Sequence, residues 1–134
     1  MFKETLAFDD VLIVPKYSDI ISRSEIDISS QLGDIKLDIP IVSAPMDTVC
    51  DSEMAVAMAE LGGIGCIHRF LTIAEQAHEV AYTSKTVKNR DWWTPYVMAA
   101  VGANGDYLER AQELVKNGAN RGNSPSAAML SRCH

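Results

Sequence analysis

The stretch Ile39-Pro-Ile-Val-Ser-Ala-Pro-Met-Asp-Thr-Val49 decides how this chain is read. Residues 39–44 carry a short apolar run, consistent with a buried strand. Pro45 breaks it and delivers Met46, Asp47 and Thr48 to a loop ahead of a helix. In a protein built of βα repeats, such a loop lies at the strand end where ligands bind.

Working outward, a period appears on the C-terminal side. Asp51 or Ser52 is placed to cap a helix running to about Leu61, and the Gly62-Gly63 pair ends it. Met54, Ala57, Met58 and Leu61 fall at helical spacing on its expected apolar face. Residues 64–68 read as a second short strand. Thr72 and Glu75 form a capping-box pattern for a helix reaching about Tyr82. Residues 83–94 read as a polar linker carrying Trp92 and Trp93. A third strand follows over 96–101 and a turn over 102–105. A third helix covers 106–117, with Leu108, Ala111 and Val115 on one face. Toward the N-terminus, residues 1–38 are turn-rich. They hold an apolar patch of Phe8, Val11, Leu12, Ile13 and Val14, then loosely alternating extended pieces. This region reads as an irregular cap or β-ribbon.

The order is therefore cap, then β-α-β-α-β-α, which implies a parallel sheet with right-handed crossovers. A doubly wound sheet and a (β/α)8 barrel both begin this way. No GxGxxG follows the first strand, so a dinucleotide-binding Rossmann unit is not indicated. Residues 121–134, RGNSPSAAMLSRCH, break the period where a fourth strand is expected. A natural tail and loss of the reading frame near Asn120 are the competing readings, and truncation is favoured.

Composition narrows the partners. The chain has 134 residues and a net charge of −6. That charge opposes a general nucleic-acid or anionic-membrane partner, both of which require a basic face. No apolar run approaches the roughly 20 residues of a membrane span. The N-terminus lacks a signal-peptide pattern, and cytoplasmic localisation is expected. Cys50, Cys66 and Cys133 are irregularly spaced with no CxxC, so neither a disulfide framework nor a metal site is expected.

Several segments together resemble the IMP dehydrogenase / GMP reductase family. They are Leu6-Ala-Phe-Asp-Asp-Val-Leu-Ile-Val-Pro15, Ser22-Arg-Ser-Glu-Ile-Asp27, the opening stretch Ile39 to Val49, Ser52-Glu-Met-Ala-Val-Ala-Met58 and Gly62-Gly-Ile-Gly-Cys-Ile-His68. Ala100-Val-Gly102 followed by Asp106-Tyr-Leu-Glu-Arg110 adds to the match. The resemblance implies the N-terminal portion of a (β/α)8 TIM barrel, about three βα units after the irregular cap. A partial barrel domain would occupy residues 1–120 and an aberrant or flexible tail residues 121–134. It also implies a purine nucleoside monophosphate as substrate and a nicotinamide cofactor. The dehydrogenase reading is IMP to XMP with NAD; the reductase reading is GMP to IMP with NADPH. A non-enzymatic, degenerate barrel fragment is the third reading. For the full-length family the resemblance implies a homotetramer and, in the dehydrogenases, a monovalent cation.

Carried over by position, Met46 matches the methionine that packs on the purine, a role suited to an unbranched thioether. Packing at a strand end is the competing role. Ser43 and Ala44 lie near the nucleotide, and Ala44 offers no side-chain hydrogen bond. Ser43, Asp47 and Thr48 have local backbone or turn roles as alternatives. His68 ends the second strand on the cofactor side, with a satisfied buried histidine as the alternative; Arg69 reads as a solvated side chain. Ala7 stands where the family usually has Thr. The family's nucleophilic cysteine lies in a GxGSxCxT loop that this sequence lacks. Cys50, Cys66 and Cys133 are therefore not assigned to it, no catalytic residue is expected, and the chain alone is expected to be inactive. The short 83–94 bridge leaves no room for a CBS insertion, and the motif wording favours a compact dehydrogenase.

Overall fold

The computed structural model describes residues 5–33, 35–87, 97–103 and 105–119. The sequence-expected tail over 121–134 and the Trp92-Trp93 pair lie outside the described residues. Two 3-10 turns, Phe8–Asp10 and Arg23–Glu25, punctuate an otherwise irregular N-terminal stretch. Strands β1 (Ser30–Leu32) and β2 (Ile35–Leu37) then form an antiparallel hairpin, pairing Ser30 with Leu37 and Leu32 with Ile35. Gly33 takes φ +61°, the left-handed geometry that a two-residue hairpin loop needs. The expected ribbon is thus present over residues 30–37.

Helix α1 (Ser52–Glu60) begins where its cap predicts: the Asp51 carboxylate accepts from the Met54 N–H at 2.9 Å. It ends in a Schellman arrangement, with Gly62 donating to Ala59 O and Gly63 to Met58 O. Gly62 has φ +83°, and a Cβ there would lie 2.5 Å from that of Asp38. Both facts require glycine at this turn, against which the exit of the hairpin packs.

Strand β3 (Cys66–Ile67) pairs in parallel with β4 (Met98–Ala99), Cys66 opposite Met98 and Ile67 opposite Ala99. On its other side Ile64 forms a parallel bridge to Val42. Helix α2 (Ile73–Thr86) connects β3 to the β4 side of the sheet, and α3 (Tyr107–Lys116) follows β4. Three parallel segments therefore lie side by side in chain order, each followed by a helix: a mixed α/β fold, with no closed barrel among the described residues.

The core shows why the strands are apolar throughout. Val97, Ala99 and Val101 join Ile67, Cys50, Ala55, Ala77, Val80 and Leu114 in a layer between sheet and helices. Met98 and Ala100 point to the opposite face, with Leu37, Ile64 and Cys66. Alternation with period 2 thus feeds two apolar layers, as in a parallel sheet covered on both faces.

Four expectations are corrected. Residues 39–44 do not form a buried strand: one bridge at Val42 is all that pairs, and Ile41 and Val42 are 54% and 39% exposed. Pro40 and Pro45 lack N–H donors, and Val42 has a sheet neighbour on one side only among the described residues. Helix α1 buries Ser52, Ala55 and Ala59, while Met54 and Leu61 are exposed. It sits so close to Gly65 that only small residues fit beneath it. Helix α2 runs to Thr86, into the expected linker. On α3 the buried residues are Arg110 and Leu114, with Ala111 partly packed and Leu108 exposed.

Candidate functional site

The C-terminal ends of the three parallel segments carry the side chains of interest. After Val42 the chain makes a compact turn. Met46 N–H donates to Ala44 O at 2.9 Å, and Met46 O accepts from both Val49 and Cys50 N–H at 3.0 Å. This turn leaves Met46 half exposed. Cys50 O then accepts from His68 N–H at 3.4 Å, so the loop bearing Met46 rests on the end of β3.

Ser43 is committed to the neighbouring segment of the sheet. Its backbone N–H donates to Ile64 O, and its hydroxyl oxygen accepts from Cys66 N–H at 3.0 Å. The hydroxyl stitches the first segment to β3, 23 positions away in the chain. Ala44 is exposed and brings no polar group. Asp47 and Thr48, also exposed, lie in the turn. Together with Val49, Asp51, Glu53, Met54 and Ala57 they line a shallow depression of about 390 Å³.

His68 is 7% exposed. Its Nδ1 accepts from Phe70 N–H at 3.2 Å, the geometry of the Nε2–H tautomer. The ring stacks on that of Phe70 at 6.2 Å between centroids. Arg69 holds its guanidinium 5.6 Å from the centre of the Phe70 ring, a cation–π contact rather than a purely solvated position.

Neither described thiol is poised as a nucleophile. Burial pushes the Cys66 thiol up to about 12, helped by the neighbouring Cys50. Burial likewise raises Cys50, against the lowering effect of its bonds to Ser43 and to the Cys66 backbone. Both are fully enclosed, which agrees with Cys66 as a small core residue. No group of three metal-ligating side chains occurs among the described residues, and no described helix is long and apolar enough to cross a membrane.

Sequence reasoning missed a buried polar network behind these loops. Gln76, fully enclosed, donates from Nε2 to Ala100 O at 2.9 Å and, at a longer 3.5 Å, to Ile67 O. Its Oε1 accepts from Arg110 NH1 at 2.8 Å. Arg110 also donates to Leu71 O at 3.0 Å and grips Asp106 Oδ2 through Nε and NH2 at 3.1 and 2.7 Å. The Arg110 guanidinium holds the Asp106 carboxyl below its ordinary value. The sequence signal was the i,i+4 spacing of Asp106 and Arg110; Gln76 has no local partner to reveal it.

The strand-end depression beside Met46 does not by itself offer a nicotinamide dinucleotide a pyrophosphate site. Such a site needs cations or converging N–H groups. Arg69 is engaged on Phe70, Arg110 is enclosed in its network, and the depression beside Met46 is edged by Asp47, Asp51 and Glu53.

Comparison with known proteins gives a consistent picture. Residues 5–121 match the family described as IMP dehydrogenase / GMP reductase domain. The chain is 51% identical over 117 residues to a protein from Nitrosopumilus maritimus (strain SCM1) named Inosine-5'-monophosphate dehydrogenase, which covers 84% of this chain and 24% of that protein. A protein of the same name from Staphylococcus aureus (strain Mu50 / ATCC 700699) is 43% identical over 122 residues, covering 86% of this chain and 25% of its own length. The chain thus spans about a quarter of the length of these relatives.

Proposed function

The chain belongs to the IMP dehydrogenase / GMP reductase domain family, and we propose that it supplies the opening portion of a (β/α)8 barrel in a cytoplasmic purine-nucleotide oxidoreductase. The barrel portion takes in residues 1–120. The reaction proposed for the whole protein is oxidation of IMP to XMP with NAD, in a homotetramer. The identity to two proteins named as IMP dehydrogenases supports the dehydrogenase direction. Three parallel segments in chain order support the barrel portion.

The single observation that carries a binding role is the turn over residues 46–50. Bonded to itself and to the end of β3, it presents Met46 half exposed at the strand ends. We assign Met46 to the face of the purine. Ser43 holds that turn's strand to β3, Ala44 leaves space, and His68 borders the neighbouring cofactor side. The group that attacks C2 lies outside the described residues, since both described thiols are buried and protonated.

The test is a titration of the chain, labelled with carbon-13 at its methionine methyls, with IMP. A saturable ring-current shift of the Met46 methyl, assigned with Met46→Leu, is expected. No NADH should form when NAD is added. A Met46 methyl unmoved by millimolar IMP would remove the base-contact assignment. Turnover abolished by replacing Cys50 or Cys66 would overturn the placement of the nucleophile elsewhere.

A further inference from the structure

Residues 68–70 are bracketed by a buried polar network that reaches the carbonyls on either side of them. Ile67 O, just before them, accepts from Ala100 N–H at 2.9 Å and, at a longer 3.5 Å, from Gln76 Nε2, and Leu71 O, just after them, receives Arg110 NH1. The same Gln76 amide binds Ala100 O at the end of β4, and the same Arg110 is anchored by Asp106 at the start of α3. Arg110 is 8% exposed and Gln76 is fully enclosed. A buried guanidinium persists only where its donors are satisfied, and here they meet Asp106, Leu71 and Gln76.

We propose that Arg110 and Gln76 are positioning residues for His68. They clamp the loop after β3 to the end of β4 and the start of α3. The Phe70 N–H then stays on His68 Nδ1, and the imidazole proton is set on Nε2. That this end of the sheet faces ligand rests on the proposed function; the clamp itself does not.

The clamp demands a planar fork, because three acceptors lie in different directions around one guanidinium. Lysine keeps the charge but offers one compact ammonium, which cannot reach all three. Arg110→Lys therefore separates positioning from bulk stability. Its thermal midpoint stays closer to the parent chain's than that of Arg110→Met. Yet its Phe70 amide exchanges with solvent about tenfold faster, as expected for loss of a charge-assisted bond. Its His68 nitrogen-15 shifts also move from the Nε2–H tautomer toward an average of both forms.

The experiment is amide exchange and imidazole nitrogen NMR on the 134-residue chain, with α1 amides as internal reference. Should Arg110→Met and Arg110→Lys both fail to fold, Asp106→Asn decides. Asp106 is half exposed and makes no capping bond, so its replacement slackens only the outer anchor. A Phe70 and His68 response confined to this loop supports the proposal. Unchanged Phe70 exchange and His68 shifts, or equal loosening of α1, overturns it. IMP added to the parent chain keeps the two readings apart. A loop response to the variants with no Met46 methyl shift overturns the nucleotide reading alone. A Met46 shift with no loop response overturns the clamp alone.

Discussion

Replacing Gly65 with alanine tests the central packing decision of this fold. Gly65 lies just before β3, and a Cβ built on it would sit 2.5 Å from Ala55 Cα and 2.7 Å from Ala55 Cβ of α1. Carbon atoms pack at about 3.5 Å or more, so α1 must retreat by about 1 Å. That retreat opens the layer in which Ala55, Cys50, Ile67 and Val80 meet. Overpacking of this kind costs about 1–3 kcal/mol. For a domain of this size each kcal/mol lowers the melting midpoint by about 3–5 °C. The assay is urea and thermal unfolding followed by circular dichroism, parent chain beside variant. Adding Ala55→Gly should restore stability only in part, because the nearest obstructing atom is backbone and glycine itself costs about 1 kcal/mol in a helix. Gly105→Ala is the control. Nothing stands within 4 Å of its Cβ position, and its φ of +75° carries only the cost of left-handed backbone, about 1–2 kcal/mol. A Gly65→Ala midpoint equal to the parent's, or complete rescue by Ala55→Gly, would refute the close helix–strand approach.

Other expectations concern protons and thiols. Hydrogen bonding from Arg110 lowers Asp106, and hydrogen bonding from Thr72 lowers Glu75. A carboxyl lowered in the folded state stabilises the chain above its unfolded value and loses that contribution as pH falls through the folded one. Acid unfolding should therefore set in below the ordinary values of 3.8 and 4.5, and Asp106→Asn should flatten the decline. An acid limb unchanged in that variant would contradict the pairing. Cys66 works in the opposite sense. Raised from 9.0 to about 12, it stabilises the neutral-thiol fold below 9 and loses that contribution as pH rises toward 12. Cys50 and Cys66 should both resist a thiol reagent until urea unfolds the chain, and prompt labelling of either would contradict their enclosure.

The parts of the fold that follow local rules were legible in the sequence. The Asp51 cap, the Thr72–Glu75 box and the Gly62-Gly63 stop all depend on residues a few positions apart, and all are present. The buried faces of α1 and α3 were not legible, because each is chosen by a distant neighbour. Gly65 admits alanines rather than methionines beneath α1, and Gln76 and Leu71 draw Arg110 inward on α3. The same division holds at the site. His68 was placed correctly at a strand end, but its Nδ1 partner and the network behind it join residues as many as 39 positions apart. The motif order named the family, while the use of the Ser43 hydroxyl as a bond acceptor for Cys66 needed coordinates.

A chimera tests the account most directly. Residues 5–119 of this chain replace the matching segment of the Nitrosopumilus maritimus relative, and the initial rate of NAD reduction with IMP is measured against the parent. The account predicts IMP-dependent turnover, with Met46→Ala in the chimera raising KM for IMP more than it changes kcat. A soluble, folded chimera that reduces no NAD with IMP would contradict it, as would one that oxidises NADPH only with GMP.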